Sequence, residues 1–267
     1  RDLVRSRGLG DVYKRQDEKD QVLGKTYGYR DGRTQGVDED VYKIISEEEL
    51  YSCTGIQKQS FNTIYQLMAV KKNNPEHLKA AKNFLMLPDY FHFLLTGQKC
   101  SEYTNATSTQ LINAQTNDWD RELIERLGYP QEMFLPLSQP GTLVGSFTKE
   151  IEEEVGFSCE VVLPATHDTG SAVMALPGEG DKNLYISSGT WSLMGIENKT
   201  AICTEESRKR NFTNEGGYEY RYRYLKNIMG LWMIQSVRKE LENKYSFAEL
   251  CAMASRRSDF PSRVDVN

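Results

Sequence analysis

The 267-residue sequence lacks a long apolar run and an excess of basic residues. No stretch approaches the roughly 18 consecutive apolar residues that cross a bilayer, so the sequence predicts no membrane helix. The formal net charge is −5 at pH 7, which excludes a general electrostatic attraction to nucleic acid. The composition therefore predicts neither a nucleic-acid partner nor a membrane partner.

Cysteine is sparse, and the spacing of the cysteines fits no known disulfide or metal-binding motif. The five cysteines are an odd number, and no CxxC or Cys/His ligand spacing connects them. This excludes a disulfide framework and predicts no metal site, and it favours a reducing cytoplasm. The GxxxxGK[ST] phosphate-binding pattern is also absent, so the chain is not a P-loop protein.

Helical and extended patterns alternate along the chain, which predicts the α/β class. Ser46 followed by three glutamates is typical of a helix N-terminus, and Gly55 ends that helix. Apolar spacing predicts further helices over residues 61–73, 88–97 and 120–127.

The pattern changes near residue 156. We predict a buried strand over residues 160–165, a helix over 167–176 and a hairpin of two strands over 184–197. A strand with one wet face is predicted over residues 218–225, and an amphipathic helix over 227–241.

Both ends of the sequence look cut. Residues 1–16 are basic and have no core-forming period or apolar leader segment, so we expect them to be foreign to the fold. The last residues follow a helical pattern without a helix stop signal. We therefore expect a chain truncated at both ends.

Polar residues follow the predicted strand at His167, Asp168 and Thr169. An aspartate at the turn between a strand and a helix can accept a proton from a substrate hydroxyl. Aspartate is also a preferred N-cap, and a single histidine is often a core residue. The residues alone leave both interpretations open.

Two later segments carry glycine beside polar groups. At the hairpin tip, the glycine and the hydroxyl groups around Thr190 could donate hydrogen bonds to a phosphate. Such a sequence is also common in ordinary hairpin turns. Residues 214–217 contain two glycines that indicate a bulge or a close backbone approach. Asn227 is predicted at a helix start, where capping is the usual role.

Taken together and in this order, these segments resemble the FGGY carbohydrate kinases. The resemblance extends over residues 17–267 and rests on residues 29–34, 60–67, 87–91, 95–97, 102–107, 167–169, 186–195, 213–217 and 225–232. The runs ISSGTWSLMG and LKNIMGLW within it are typical of the branch that phosphorylates L-rhamnulose.

The resemblance implies a ribonuclease H-like, actin-like α/β sugar kinase with two domains, one for the sugar (17–170) and one for the nucleotide (171–267). It implies L-rhamnulose and ATP as substrates, with Mg²⁺. By position, Asp168 matches the catalytic base, with His167, Thr169 and Asn227 at the sugar. Thr190 and Gln235 match nucleotide contacts.

Two parts of the family pattern are missing from the sequence, an N-terminal phosphate hairpin and a glycine-rich adenosine segment. Because phosphoryl transfer depends on positioning, we expect this chain alone to be inactive. Two alternatives stay open: a kinase of another ketose such as fuculose or xylulose, and a non-catalytic sugar sensor of the same fold.

Overall fold

The structure is a computed structural model that describes residues 12–28, 31–177, 183–188, 191–257 and 259–261. Its strands are β1 (Tyr13–Gln16), β2 (Asn83–Met86), β3 (Ser101–Glu102), β4 (Ile112–Asn113), β5 (Asp118–Trp119), β6 (Leu137–Ser138), β7 (Leu143–Ser146), β8 (Glu160–Val162), β9 (Leu184–Ser188), β10 (Trp191–Asn198), β11 (Phe212–Gly216) and β12 (Tyr222–Met229).

Its helices are α1 (Asp38–Tyr42), α2 (Glu47–Thr54), α3 (Thr63–Asn73), α4 (Pro75–Lys79), α5 (Leu87–Thr96), α6 (Tyr103–Ala106), α7 (Arg121–Arg126), α8 (Lys149–Val155), α9 (Asp168–Met174), α10 (Glu205–Lys209), α11 (Trp232–Glu240) and α12 (Phe247–Ser255). The alternation confirms the predicted α/β class. Among the described residues, no helix has both the length and the apolar character that crossing a bilayer requires.

Local signals set the helix ends where they were predicted. At α2, the Ser46 hydroxyl accepts a hydrogen bond of 3.1 Å from the Glu49 backbone N–H. Gly55 has φ +67°, and its N–H donates to the Tyr51 carbonyl at 2.7 Å. Glycine adopts this left-handed conformation without strain, so it ends the helix sharply.

The expectation that residues 1–16 lie outside the fold is wrong for the part that the structure describes. Residues 13–16 form β1, which pairs antiparallel with β2. The Tyr13 ring packs 4.9 Å from the Phe84 ring. The strand looked foreign because Arg15 and Gln16 are polar, yet both are buried, and each donates to a backbone carbonyl. Residues 1–11 lie outside the described residues.

Replacing Tyr13 with alanine should therefore destabilise the protein by about 3–5 kcal/mol, the usual cost of emptying a buried aromatic site. Tyr13 is 8% exposed. Phe260→Ala is the matched control, since Phe260 is 70% exposed and its loss should change stability little. The measurement is urea unfolding of both variants. Equal midpoints would show that β1 contributes nothing to the core.

The strand predicted over residues 160–165 is shorter and less buried than expected. Only residues 160–162 form β8, which pairs antiparallel with β7 in a two-stranded sheet. Within β8 only Val161 is buried, and its two neighbours are exposed. The apolar run was misleading because this strand has a single neighbour and one covered face.

The hairpin over residues 184–197 is confirmed, since β9 pairs antiparallel with β10. These strands belong to a four-stranded antiparallel sheet in the order β11-β12-β10-β9. Residues 189 and 190, at the tip of the β9–β10 hairpin, lie outside the described residues.

The helix predicted from residue 227 is wrong at its start. Asn227 lies within β12, opposite Leu193 of β10, and the helix α11 begins only at Trp232. The preceding strand also begins later than predicted, because Tyr218–Tyr220 is a 3-10 turn. Pairing along the whole length of β10 keeps these residues extended, whatever their local helical spacing.

The four-stranded sheet docks against the N-terminal part of the chain through β11 and β12. The Gly216 N–H donates to the Thr107 hydroxyl at 2.9 Å. The Tyr222 hydroxyl donates to the Ala114 carbonyl at 2.8 Å. Both bonds are buried and connect residues more than 100 positions apart, so the two parts are joined by specific polar contacts.

Candidate functional site

The turn after β8 carries Asp168 as the first residue of α9. Its carboxylate is 84% exposed and accepts from the Thr169 N–H at 2.7 Å and the Thr169 hydroxyl at 3.2 Å. The Thr169 N–H is the second of the helix, so Asp168 bonds one of the N–H groups that a capping side chain would otherwise satisfy. The N-cap position itself belongs to His167. The Asp168 side chain is thus held from one side and open on the other.

His167 lies beneath this carboxylate with its ring mostly buried. Its Nδ1 is 3.7 Å from an Asp168 oxygen, and its Nε2 is 3.7 Å from a Glu215 oxygen. Burial lowers the pKa of His167, against the opposite effect of Glu215. The ring is therefore favoured in its neutral form, between two carboxylates that are slightly beyond hydrogen-bond length.

Glu215 is in turn paired with a fully buried arginine. Arg223 stands opposite Glu215 in the β11–β12 ladder, and its Nη1 is 3.2 Å from the Glu215 carboxylate. The guanidinium also donates to the Gly216 carbonyl from Nε and Nη2, at 3.2 Å each. Because a buried charge needs a partner, this pair fixes the two strands beneath His167.

Glu102 connects the site to the N-terminal part of the chain. Its carboxylate is fully buried and accepts from the Thr166 N–H at 3.0 Å and the Thr166 hydroxyl at 2.7 Å. It also accepts from Thr104, through N–H and hydroxyl, and from the Asn105 N–H. Thr166 directly precedes His167, so Glu102 positions the turn that presents Asp168.

The structure groups His167, Asp168 and Thr169 but not the other predicted site residues. Asn227 lies on β12, where its amide donates to the Gln57 side chain at 3.1 Å. Gln235 is exposed on α11. Thr190 lies outside the described residues. Among the residues that the structure describes, no hydrogen bond joins Asn227 or Gln235 to the Asp168 turn.

Sequence reasoning assigned no role to Glu102, Glu215 or Arg223. Glu102 and Glu215 both fall within segments that resemble the kinase family. The resemblance identified these segments, but it assigned no chemical role to either glutamate. A local signal existed for Glu102, which directly precedes α6. Its side chain caps this helix by accepting hydrogen bonds from the Thr104 and Asn105 N–H groups. Nothing local indicated that the same carboxylate reaches Thr166.

Comparison with known families matches almost the whole described chain. The N-terminal domain of the FGGY family of carbohydrate kinases matches residues 13–175. The C-terminal domain of the same family matches residues 184–263.

Named relatives and solved structures agree with this match. The chain is 56% identical over 251 residues to a rhamnulokinase from Halalkalibacterium halodurans, covering 94% of this chain and 53% of the relative. It is 42% identical to a rhamnulokinase from Bacillus subtilis, covering 94% of this chain and 51% of the relative. The chain thus spans about half the length of the relatives it matches.

The fold is that of solved sugar kinases. A ligand-bound xylulose kinase from Lactobacillus acidophilus superposes with a TM-score of 0.82 at 18% identity, covering 92% of this chain and 50% of that one. A Plasmodium falciparum glycerol kinase with ADP gives a TM-score of 0.73 at 14% identity, with coverage of 90% and 49%. These confirm the predicted actin-like, ribonuclease H-like architecture. The chain belongs to the FGGY family of carbohydrate kinases.

Proposed function

We propose that this chain is part of a kinase that transfers the γ-phosphoryl group of ATP to O1 of L-rhamnulose. The observation that carries the proposal is the 56% identity, over 94% of the chain, to a relative named rhamnulokinase. The exposed Asp168 carboxylate supports it, because a group with one open side can reach a substrate hydroxyl.

In the proposed reaction, Asp168 accepts the proton of the O1 hydroxyl. The O1 oxygen then bonds to the γ-phosphorus, and the bond from that phosphorus to the β–γ bridging oxygen breaks, releasing ADP. His167 and Thr169 contact the sugar beside the base, and Asn227 is a further sugar contact. Mg²⁺, bound with ATP, neutralises charge on the phosphates.

The nucleotide contacts are proposed at Thr190 and Gln235. We also propose that residues 17–170 bind the sugar and that residues 171–267 bind the nucleotide. The family domains that match residues 13–175 and 184–263 support a division in this region. The five free cysteines support a cytoplasmic location.

The proposal is tested by ketose-dependent ADP release. The assay uses this sequence extended with the parts of the Halalkalibacterium halodurans relative that it does not cover. We expect turnover with L-rhamnulose to exceed that with fuculose or xylulose. A preference for another ketose would transfer the proposal to that sugar, and sugar binding without ADP release would identify a sensor.

The chain of 267 residues alone, assayed in parallel, should release no ADP above a no-enzyme control. The physical reason is that phosphoryl transfer depends on positioning every phosphate contact at once. Turnover by this chain alone would show that half the length of its relatives is enough for catalysis.

A further inference from the structure

A second cluster of reactive side chains lies on the other side of Glu102. One oxygen, nitrogen or sulfur atom from each of Asp89, His92 and Cys100 lies within 4.8 Å of the others. The Glu102 N–H donates to both Asp89 oxygens at 3.3 Å, while the Glu102 side chain binds Thr166. The cluster is therefore separate from the exposed face of Asp168.

The fold brings these residues together through α5 and the turn that follows it. Asp89 and His92 are three residues apart on this helix, so their side chains lie on the same face. Gly97, at φ +70°, ends the helix and reverses the chain. Cys100 then returns alongside the helix, directly before β3.

Asp89 is buried and His92 and Cys100 are half-buried, and two of these side chains lack good hydrogen-bond partners. Asp89 has no exposed surface, and in the described part of the chain it accepts only two weak hydrogen bonds, both from the Glu102 N–H. His92 Nδ1 is buried without a hydrogen-bond partner in the described structure, 4.0 Å from an Asp89 oxygen. A buried carboxyl and a buried ring nitrogen that face each other without bonding are unusual, because each loses its hydration.

Burial shifts the ionisation of all three side chains towards their neutral forms. Burial, with the nearby Glu102 carboxylate, raises the pKa of Asp89 well above its usual range. Burial raises the pKa of the Cys100 thiol to about 12, with Asp89 and Glu102 adding to the effect. Burial also lowers the pKa of His92, which keeps a ring nitrogen free to donate its lone pair.

We propose that Asp89, His92 and Cys100 bind a divalent transition-metal ion of the Zn²⁺ class. Carboxylate oxygen, imidazole nitrogen and thiolate sulfur are the three donor types that Zn²⁺ uses in proteins. Tetrahedral Zn²⁺ holds its ligand atoms about 3.3–3.8 Å apart, so these side chains would draw together by about 1 Å. Water completes the fourth position.

Binding is accompanied by proton release. The Cys100 thiol and the Asp89 carboxyl each lose a proton as they bond to the metal, and both protons pass to solvent. The Glu102 N–H, already directed at Asp89, then serves as the outer hydrogen bond that orients the ligating carboxylate. The sequence pattern hides the site because one cysteine, one histidine and one aspartate do not form a familiar zinc motif.

The test uses Co²⁺ alone as the probe, titrated into the chelator-treated chain. We expect one equivalent to bind and to produce a near-ultraviolet charge-transfer band from thiolate to Co²⁺, which Zn²⁺ then removes. Cys100→Ser should abolish the band. Cys159→Ser is the matched control, because Cys159 is exposed and lies outside the cluster, and it should leave the band unchanged.

A second measurement separates ligand loss from misfolding. Zn²⁺ should raise the thermal midpoint of the unmodified chain and of Cys159→Ser, since a ligand that binds the folded state stabilises it. It should not raise the midpoint of Cys100→Ser, and His92→Ala should weaken Co²⁺ binding at least about 10-fold. Absence of the band, or a band that persists in a folded Cys100→Ser protein, would overturn the proposal.

Discussion

Replacing Asp168 with asparagine should lower kcat by about 10²–10⁴-fold in the extended chain, the usual contribution of a general base. Asparagine keeps the size of the side chain and can still accept from Thr169, but it cannot take up the O1 proton. Because the amide still reaches the sugar hydroxyls, L-rhamnulose binding should change only by a modest factor. Steady-state kinetics and calorimetric binding measure the two effects separately.

The same substitution at a capping aspartate provides the control. Asp120 caps α7, accepting from the Leu123 N–H at 3.0 Å. Asparagine caps helices about as well as aspartate, so Asp120→Asn should leave turnover nearly unchanged, although the second carboxylate oxygen loses the hydrogen bond that it accepts from the Asn113 amide at 2.9 Å. If Asp168→Asn behaved in the same way, with near-normal kcat, the proposed base would have to be another residue.

The sequence predicted those elements whose ends are determined locally. At α2, Ser46 and Gly55 act within one turn of the helix, so their effect can be read from neighbouring residues. Asn227 shows the opposite case. Its strand is set by pairing with Leu193 and by a side-chain contact to Gln57, 170 residues away in the chain. No local pattern contains that information.

The residues of the candidate site likewise fall into those that the local sequence predicts and those that it does not. The Asp168 turn was predicted because polar residues follow an apolar run within a few positions. Glu102 was missed as a positioning group because the chain between it and Thr166 is 64 residues long. Arg223 was missed because a polar residue in an alternating strand is expected on the wet face, whereas here the guanidinium is fully buried against Glu215.

Glu102→Ala should lower the free energy of unfolding of this chain by about 3–5 kcal/mol, the cost of removing one partner from a buried, fully used charge. The carboxylate accepts five hydrogen bonds, from Thr104, Asn105 and Thr166. Alanine leaves these donors in a buried region without an acceptor. Urea unfolding measures the loss, and Glu154→Ala is the control, since Glu154 is exposed and should change stability by less than about 0.5 kcal/mol.

Glu102→Gln refines this prediction, because the two carboxylate oxygens are used unequally. Oε2 accepts four of the five hydrogen bonds, and Oε1 accepts only from the Thr104 N–H. An amide oxygen placed at Oε2 would keep those four, so glutamine should destabilise the protein clearly less than alanine does. In the extended chain, Glu102→Gln should then retain more turnover than Glu102→Ala at temperatures where both are folded. If glutamine and alanine were equally destabilising, the negative charge of Glu102 rather than its hydrogen-bond geometry would hold Thr166, and with it the Asp168 turn, in place.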